Sequence, residues 1–323
     1  MKTPVPQWIV TSEEQGLRLD RFLAVPGRLR SRGRVRTALE RGQVFLNDVE
    51  ASARDAGSRL TSGDVVRVWI DRPGSGRRKG TFEAGGLKIL YEDETLLVVN
   101  KPAGLLTVPL GRGLSAAIAT GKPSTSVFSL LADHLGPRRR RTPFVVHRID
   151  RDTSGVVLFA LTARARGALV KQFAERTPER VYLALVDGHP HPSMGTWHDR
   201  LSWDEAACRQ RAARPDDRDA VDALSDYRVV EAFASTSLLE VRLTTGRQGQ
   251  IRVQAQLRGH PLVGDRRYGG RGPASRDPIA FDRQALHALQ LAFAHPIDRR
   301  RIEVTAPPPA DLSKLLAQLR HRR

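Results

Sequence analysis

The stretch VVHRIDRDTSGVVLFALT, Val145 to Thr162, joins a charged turn to an apolar run. The run Val156 to Leu161 is short, contains no polar residue and is rich in branched and aromatic side chains, the pattern of a buried strand. Before it stand His147, Arg148, Asp150, Arg151 and Asp152, with Val145 and Val146 on their other side. A polar centre flanked by apolar segments belongs at the mouth of a core. Asp150 lies between Arg148 and Arg151, and nearby cations lower a carboxylate's pKa and keep it ionised. Such a fixed carboxylate can serve as nucleophile, general base or metal ligand. Gly155 permits a tight turn or a close backbone approach. The same residues admit a plainer reading, in which Asp150, Thr153 and Ser154 only cap the turn before the strand.

Outward from this segment, residues 87–312 mix short strands with few helices. Strands are expected at Leu96–Val99, Val181–Val186 and Leu238–Thr244, and helices at Ala163–Glu175 and Gln250–Arg258. Strands outnumber helices and do not alternate with them, which predicts an α+β class with a largely antiparallel mixed sheet. Residues 313–323 read as a basic C-terminal tail.

Residues 12–70 read as a separate small α/β unit. Leu19, Phe22 and Leu23 have helical spacing. A second helix is expected from an N-cap at Ser31 to a stop at Gly42, its stripe Val35, Ala38 and Leu39 turned inward and Arg32, Arg34, Arg36 and Arg41 outward. Val44–Leu46 and Val65–Trp69 read as strands. Residues 71–86, rich in Gly and charge, read as a linker. Over residues 1–80, 16 Lys/Arg face 9 Asp/Glu, and the whole chain of 323 residues carries a net charge of +18. Such an excess favours a polyanionic partner, because Lys/Arg–phosphate contacts release counterions. No stretch approaches the roughly 20 apolar residues that cross a bilayer, and the N-terminus does not read as a secretory signal. The single cysteine, Cys208, forms no internal disulfide and supplies no cysteine-based zinc site. A cytoplasmic monomer bound to RNA, and not to DNA or membrane, is expected.

HRIDRDTSGVVLFALT (His147 to Thr162) resembles the signature of the RluA-type pseudouridine synthases. Further segments resemble that family in the expected order: DETLLVVNKPAGLLTVP (Asp93 to Pro109), RVYLALVDG (Arg180 to Gly188), TTGRQGQIRVQAQLRGHPLVGDRRYG (Thr244 to Gly269) and ALHALQLAFAHP (Ala285 to Pro296). RLDRFLA (Arg18 to Ala24), SRGRVRTALERGQVFLND (Ser31 to Asp48) and SGDVVRV (Ser62 to Val68) resemble the RNA-binding module first known in small-subunit ribosomal protein four.

These resemblances imply an enzyme that isomerises uridine to pseudouridine in structured RNA without a cofactor or metal, ribosomal RNA being favoured over transfer RNA. Asp150 would be the nucleophile, Tyr182 would lie against the base and move a proton, and Arg252 would pair with the carboxylate. Ile251 would wall the base. His147, Arg148, Thr153 and Lys101, with Arg32 and Arg36 of the small unit, would bind substrate, and the tract Arg138–Arg141 could join them. One departure is clear: the family usually has Thr-His where this chain reads Gln248-Gly249, and favours His where Gln254 stands. Two other classes remain open, a non-catalytic RNA-binding or ribosome-assembly protein and a metal-dependent nuclease using Asp150, Asp152 and Asp265.

Overall fold

A computed structural model describes residues 5–40, 42–51, 53–70, 87–109, 126–139, 142–269 and 280–321. The N-terminal part is built from β1 (Gln7–Ile9), α1 (Leu19–Leu23), α2 (Arg32–Glu40), β2 (Val44–Leu46), β3 (Val49–Glu50) and β4 (Val65–Val68). Its four strands form a sheet of their own in the order β1-β4-β2-β3. Leu19, Phe22 and Leu23 of α1 share one core with Val35, Ala38 and Leu39 of α2 and with Val44, Val66 and Val68. That helical spacing leaves Arg32, Arg34 and Arg36 exposed. The Arg34 N–H donates to Ser31 Oγ at 3.3 Å, and Gly42 at φ +63° follows the helix where the chain reverses. The sheet also takes in β1, upstream of the expected start at residue 12. Backbone pairing with β4, Gln7 opposite Arg67, holds this strand. It is mostly exposed, so no apolar periodicity announced it. The expected linker, residues 71–86, lies outside the described residues.

The larger part contains β5 (Lys88–Glu92), β6 (Leu96–Lys101), α3 (Val127–Arg139), β7 (Phe144–Val145), β8 (Ser154–Ala160), α4 (Ala163–Ala174) and β9 (Glu179–Asp187). It continues with β10 (Met194–Asp204), β11 (Arg209–Ala212), β12 (Val221–Ala232), β13 (Thr236–Leu243), α5 (Gln250–Leu257), β14 (Leu286–Ala294), β15 (Arg301–Thr305) and α6 (Ala310–His321). The strands form one sheet of order β11-β10-β12-β13-β9-β14-β8-β6-β5, with β15 added to β14 and β7 to β8. Among the named strands only β14 and β8 run parallel, which gives the α+β class and the largely antiparallel mixed sheet that the sequence predicts.

Strand β8 is buried along its whole length, because it sits between two layers of apolar side chains. Val157 and Phe159 face a core shared with Leu131 of α3 and with Ile251 and Ala255 of α5. Val156, Leu158 and Ala160 face the opposite core, with Ala165 and Leu169 of α4 and Ile302 of β15. The parallel pairing sets His287 opposite Ser154 and Ala288 opposite Gly155. Gly155 has φ +116°, and a Cβ there would lie 2.1 Å from the Ala288 carbonyl oxygen. Only glycine lets the charged turn enter the sheet at this point. After the strand, Thr162 Oγ1 accepts from the Ala165 N–H at 3.1 Å and starts α4.

The expected tail at 313–323 is corrected by α6. Leu312, Leu315, Leu316 and Leu319 follow i, i+3, i+4, i+7 spacing and are buried in a core with Leu185, Phe233 and Val263. A run ending in basic residues hid an amphipathic helix.

Candidate active site

Asp150 sits on the irregular turn between β7 and β8, which two clamps hold. Thr107 Oγ1 donates to the Ile149 carbonyl at 2.8 Å and accepts from the Ile149 N–H at 3.2 Å. The Thr153 N–H closes the turn by donating to the Asp150 carbonyl at 3.2 Å. At the head of β8, His287 Nε2 meets the carbonyl of Ala306 at 2.9 Å. A carbonyl can only accept, so this nitrogen carries the proton, and Nδ1 accepts from the Ser154 hydroxyl at 2.9 Å.

The carboxylate meets an arginine from α5, far away in sequence. Arg252 donates from Nη1 to Asp150 Oδ2 at 2.8 Å. Its other two nitrogens donate to Asp265, from Nε to Oδ2 at 2.6 Å and from Nη2 to Oδ1 at 2.9 Å. Asp265 also accepts from the N–H groups of Arg267 and Tyr268, and the guanidinium lies over the Tyr268 ring. Burial alone would raise the Asp265 pKa, but the Arg252 charge and hydrogen bonds hold it below the ordinary carboxylate value. Burial acts against the Arg252 cation, and the two carboxylates more than reverse this, so its pKa is raised. The side chains of Arg252 and Asp265 are 5% and 0% exposed, against 23% for Asp150. Of the three, Asp150 is the one open to a ligand.

In front of it is a cavity of about 510 Å³, lined among others by Asp150, Tyr182, Ile251, Arg148, Arg180 and Gln248. The structure thus brings together the expected residues Asp150, Tyr182, Arg252, Ile251, His147, Arg148 and Thr153. Burial pushes the Tyr182 phenol up to about 12, so it is neutral at physiological pH. His147 also lines the cavity, with its ring stacked on Phe173 at 4.7 Å. Its Nε2 accepts from the Leu158 N–H at 3.1 Å, and burial brings it down to about 3, which makes it a neutral wall. Arg32 and Arg36 stand apart on the exposed face of α2. The tract Arg138–Arg141 has no described side chains.

Lys101 requires correction. Its side chain is fully buried, and Nζ donates to the carbonyls of Pro102, Leu105 and Arg151 at 2.9, 2.7 and 2.7 Å. All three N–H bonds of the ammonium are spent on backbone, so this lysine braces the turn after Asp150 and grips no phosphate.

The departure at Gln248-Gly249 leaves the frame intact. Gly249 starts α5 at φ +64°, and a Cβ there would lie 3.2 Å from the Tyr268 hydroxyl. Gln250 Oε1 accepts from the Arg247 N–H and the Thr245 hydroxyl at 3.0 and 2.7 Å. Gln254 is fully buried and donates to the carbonyls of Trp197 and Ala223, so it ties α5 to the sheet and does not line the cavity. In the sequence Asp265 reads as a turn residue or, with Asp150 and Asp152, as a metal ligand. Its use as an anchor has no local signal, because the partner is 13 residues away on a helix.

The fold is that of pseudouridylate synthase domains. The human RNA pseudouridylate synthase domain containing 1 superposes with a TM-score of 0.56 at 25% identity, over 75% of this chain and 97% of that one. Human RNA pseudouridylate synthase domain containing 4 gives a TM-score of 0.57 at 23% identity, over 72% and 93%. The model of the family described as RNA pseudouridylate synthase matches residues 95–257. Among curated relatives, the ribosomal large subunit pseudouridine synthase D of Zymomonas mobilis is 36% identical, over 98% of each chain. An uncharacterized RNA pseudouridine synthase of Bacillus subtilis is 36% identical over 97% of each. The chain belongs to the RNA pseudouridylate synthase family and is an isomerase that converts uridine in RNA to pseudouridine.

Proposed function

We propose that Asp150 is the nucleophile of this isomerisation and that the substrate is large-subunit ribosomal RNA. The observation that carries the first part is the carboxylate half-open to the cavity while Arg252, itself locked by Asp265, fixes its Oδ2. A uridine turned out of its stack, at a cost of a few kcal/mol, would fill the cavity with its base between Ile251 and Tyr182. The free oxygen of Asp150 attacks C1′ of the ribose. The N1–C1′ bond breaks and its electron pair stays on the uracil. The base turns, C5 bonds to C1′, and the carboxylate leaves. The C5 proton is then lost and N1 takes one up. Tyr182, as a neutral phenol, can serve only as a relay, accepting the C5 proton as its own passes to solvent in the cavity.

Arg148 at the cavity and Arg32 and Arg36 on α2 are placed to meet phosphates, with the small N-terminal unit acting as an RNA grip. The choice of ribosomal over transfer RNA is supported by the names of the relatives from Zymomonas mobilis and Xylella fastidiosa, the latter 37% identical, and by the charge of +18. A metal-dependent nuclease is disfavoured because a guanidinium already stands between Asp150 and Asp265. Mapping pseudouridines in total RNA from cells with and without the gene tests the assignment. Loss confined to a few large-subunit positions is expected. Loss confined to transfer RNA would overturn the substrate, and no change at all would overturn the activity in the cell.

A further inference from the structure

Among the described residues, two contacts of the N-terminal unit with the larger one lie on turns that build the site. Glu50, at the end of β3, faces Arg151 at 3.7 Å, with side chains 6% and 8% exposed. Gly42 closes over this pair, since a Cβ there would lie 2.5 Å from the Glu50 carboxylate and 2.8 Å from the Arg151 guanidinium. Trp69, just after β4, carries Arg267 on its ring face at 3.9 Å. Arg151 directly follows Asp150. Its Nε donates to the Gly104 carbonyl, and its own carbonyl accepts from Lys101 and from the Gly104 N–H. Arg267 donates its N–H to Asp265. One contact therefore bears on the turn of the nucleophile and the other on the turn of the residue that locks Arg252.

We propose that Glu50 and Trp69 are positioning residues, through which the docked N-terminal unit holds the two ends of the Asp150–Arg252–Asp265 line in register for chemistry. The claim rests on the assignment of Asp150 as nucleophile. The physics is that of buried charges. Arg151 and Arg267 are drawn from water, each 9% exposed, and that burial lowers the pKa of each. A buried cation whose partner is removed shifts to find another or to reach solvent. Either movement displaces a turn whose geometry must hold within a fraction of an ångström for efficient attack. The unit is then more than an RNA tether. Its docking completes the catalytic arrangement, and RNA held by α2 engages a body in direct contact with the nucleophile's turn.

The test separates grip from positioning. The full chain acts in excess on protein-free ribosomal RNA, labelled with tritium at uridine C5 and taken from cells lacking the gene. Affinity and the single-turnover rate at saturation are measured for Glu50→Gln, Trp69→Ala, Trp69→Phe and the pair Arg32→Glu/Arg36→Glu. Glu50→Gln and Trp69→Ala are expected to lower the saturated rate about tenfold or more while affinity changes by less than about threefold. Trp69→Phe, which keeps a ring face, is expected to retain most of the rate. The α2 pair is expected to weaken affinity and spare the saturated rate. Saturated rates for Glu50→Gln and Trp69→Ala that stay near wild type, or that fall only in step with affinity, overturn the proposal. Asp150→Asn in the same assay keeps the two claims apart: activity surviving there contradicts the nucleophile assignment, whatever Glu50 and Trp69 do.

Discussion

Arg252 gives two of its donors to Asp265, at 2.6 and 2.9 Å, before a third reaches Asp150 at 2.8 Å. The guanidinium is planar and forked, so fixing two nitrogens on a fully buried carboxylate fixes the direction of the third. The orientation of the half-open Asp150 is thus set by a residue that never meets the substrate.

Asp265→Asn is expected to lower the saturated single-turnover rate by about tenfold to a hundredfold, with RNA affinity nearly unchanged. An amide cannot accept from every donor that now converges on the carboxylate. Asp265→Ala, which strands a buried cation, is expected to lower the unfolding free energy by roughly 3–5 kcal/mol. Rate measurements and urea melts check the two outcomes. An undiminished rate in Asp265→Asn would show that Arg252 needs no anchor.

Gly155→Ala is expected to destabilise the fold by about 3 kcal/mol or more, since strain at a positive φ adds to a clash that repacking cannot relieve. The added Cβ would meet the Ala288 backbone, not a flexible side-chain end. Thermal melts of purified variant and wild type decide this. A melting point within a degree or two of wild type would mean that the parallel junction is looser than described.

Acid should weaken the fold through His147. Burial holds its folded pKa at about 3, against 6.5 for a free imidazole. The unfolded chain therefore takes up the proton first as pH falls. Stability linked to this group is whole above the unfolded value and is lost on acidification toward the folded one. Urea midpoints at neutral and mildly acid pH are expected to differ more for wild type than for His147→Gln, whose amide oxygen can still accept from Leu158. Identical pH slopes would place the neutral ring in doubt.

The C-terminal helix should matter to both stability and rate. Leu316→Ala is expected to cost roughly 2–5 kcal/mol. Asp311, in the helix's first turn, pairs with Arg283 at 2.8 Å, whose side chain is 1% exposed. Arg283 in turn donates to the carbonyl of Asp152 at 3.1 Å. Removing residues 310–323 should leave that cation buried without its carboxylate and loosen the turn that bears Asp150. A truncated chain that melts and reacts like the full one would contradict this link.

Legibility in the sequence followed the range of the interactions. β8 could be read because a strand buried on both faces is an unbroken apolar run, and α4 because its apolar residues keep helical spacing over Ala163–Glu175. Asp150, Tyr182 and Arg252 were marked by resemblance, and the structure shows the first two lining one cavity with Arg252 paired to Asp150. What escaped were side chains whose partners are distant in sequence. Lys101 reads as a surface cation until the carbonyls of Leu105 and Arg151 close on it. Asp265 reads as a turn residue until Arg252 arrives from α5. In α6 the leucine spacing was present but masked by a basic ending, and β1 is held by backbone pairing that leaves no pattern in side chains.

The central claim is that the Asp150 carboxylate performs the attack. The most direct measurement is pseudouridine formation by Asp150→Asn under single-turnover conditions, alongside its affinity for the same ribosomal RNA. The amide fills the same volume but is a far poorer nucleophile, so no product is expected from RNA bound within about threefold of wild-type affinity. Product formed at an appreciable fraction of the wild-type rate would mean that another group attacks the sugar. Loss of binding in parallel with activity would mean that Asp150 only shapes the turn.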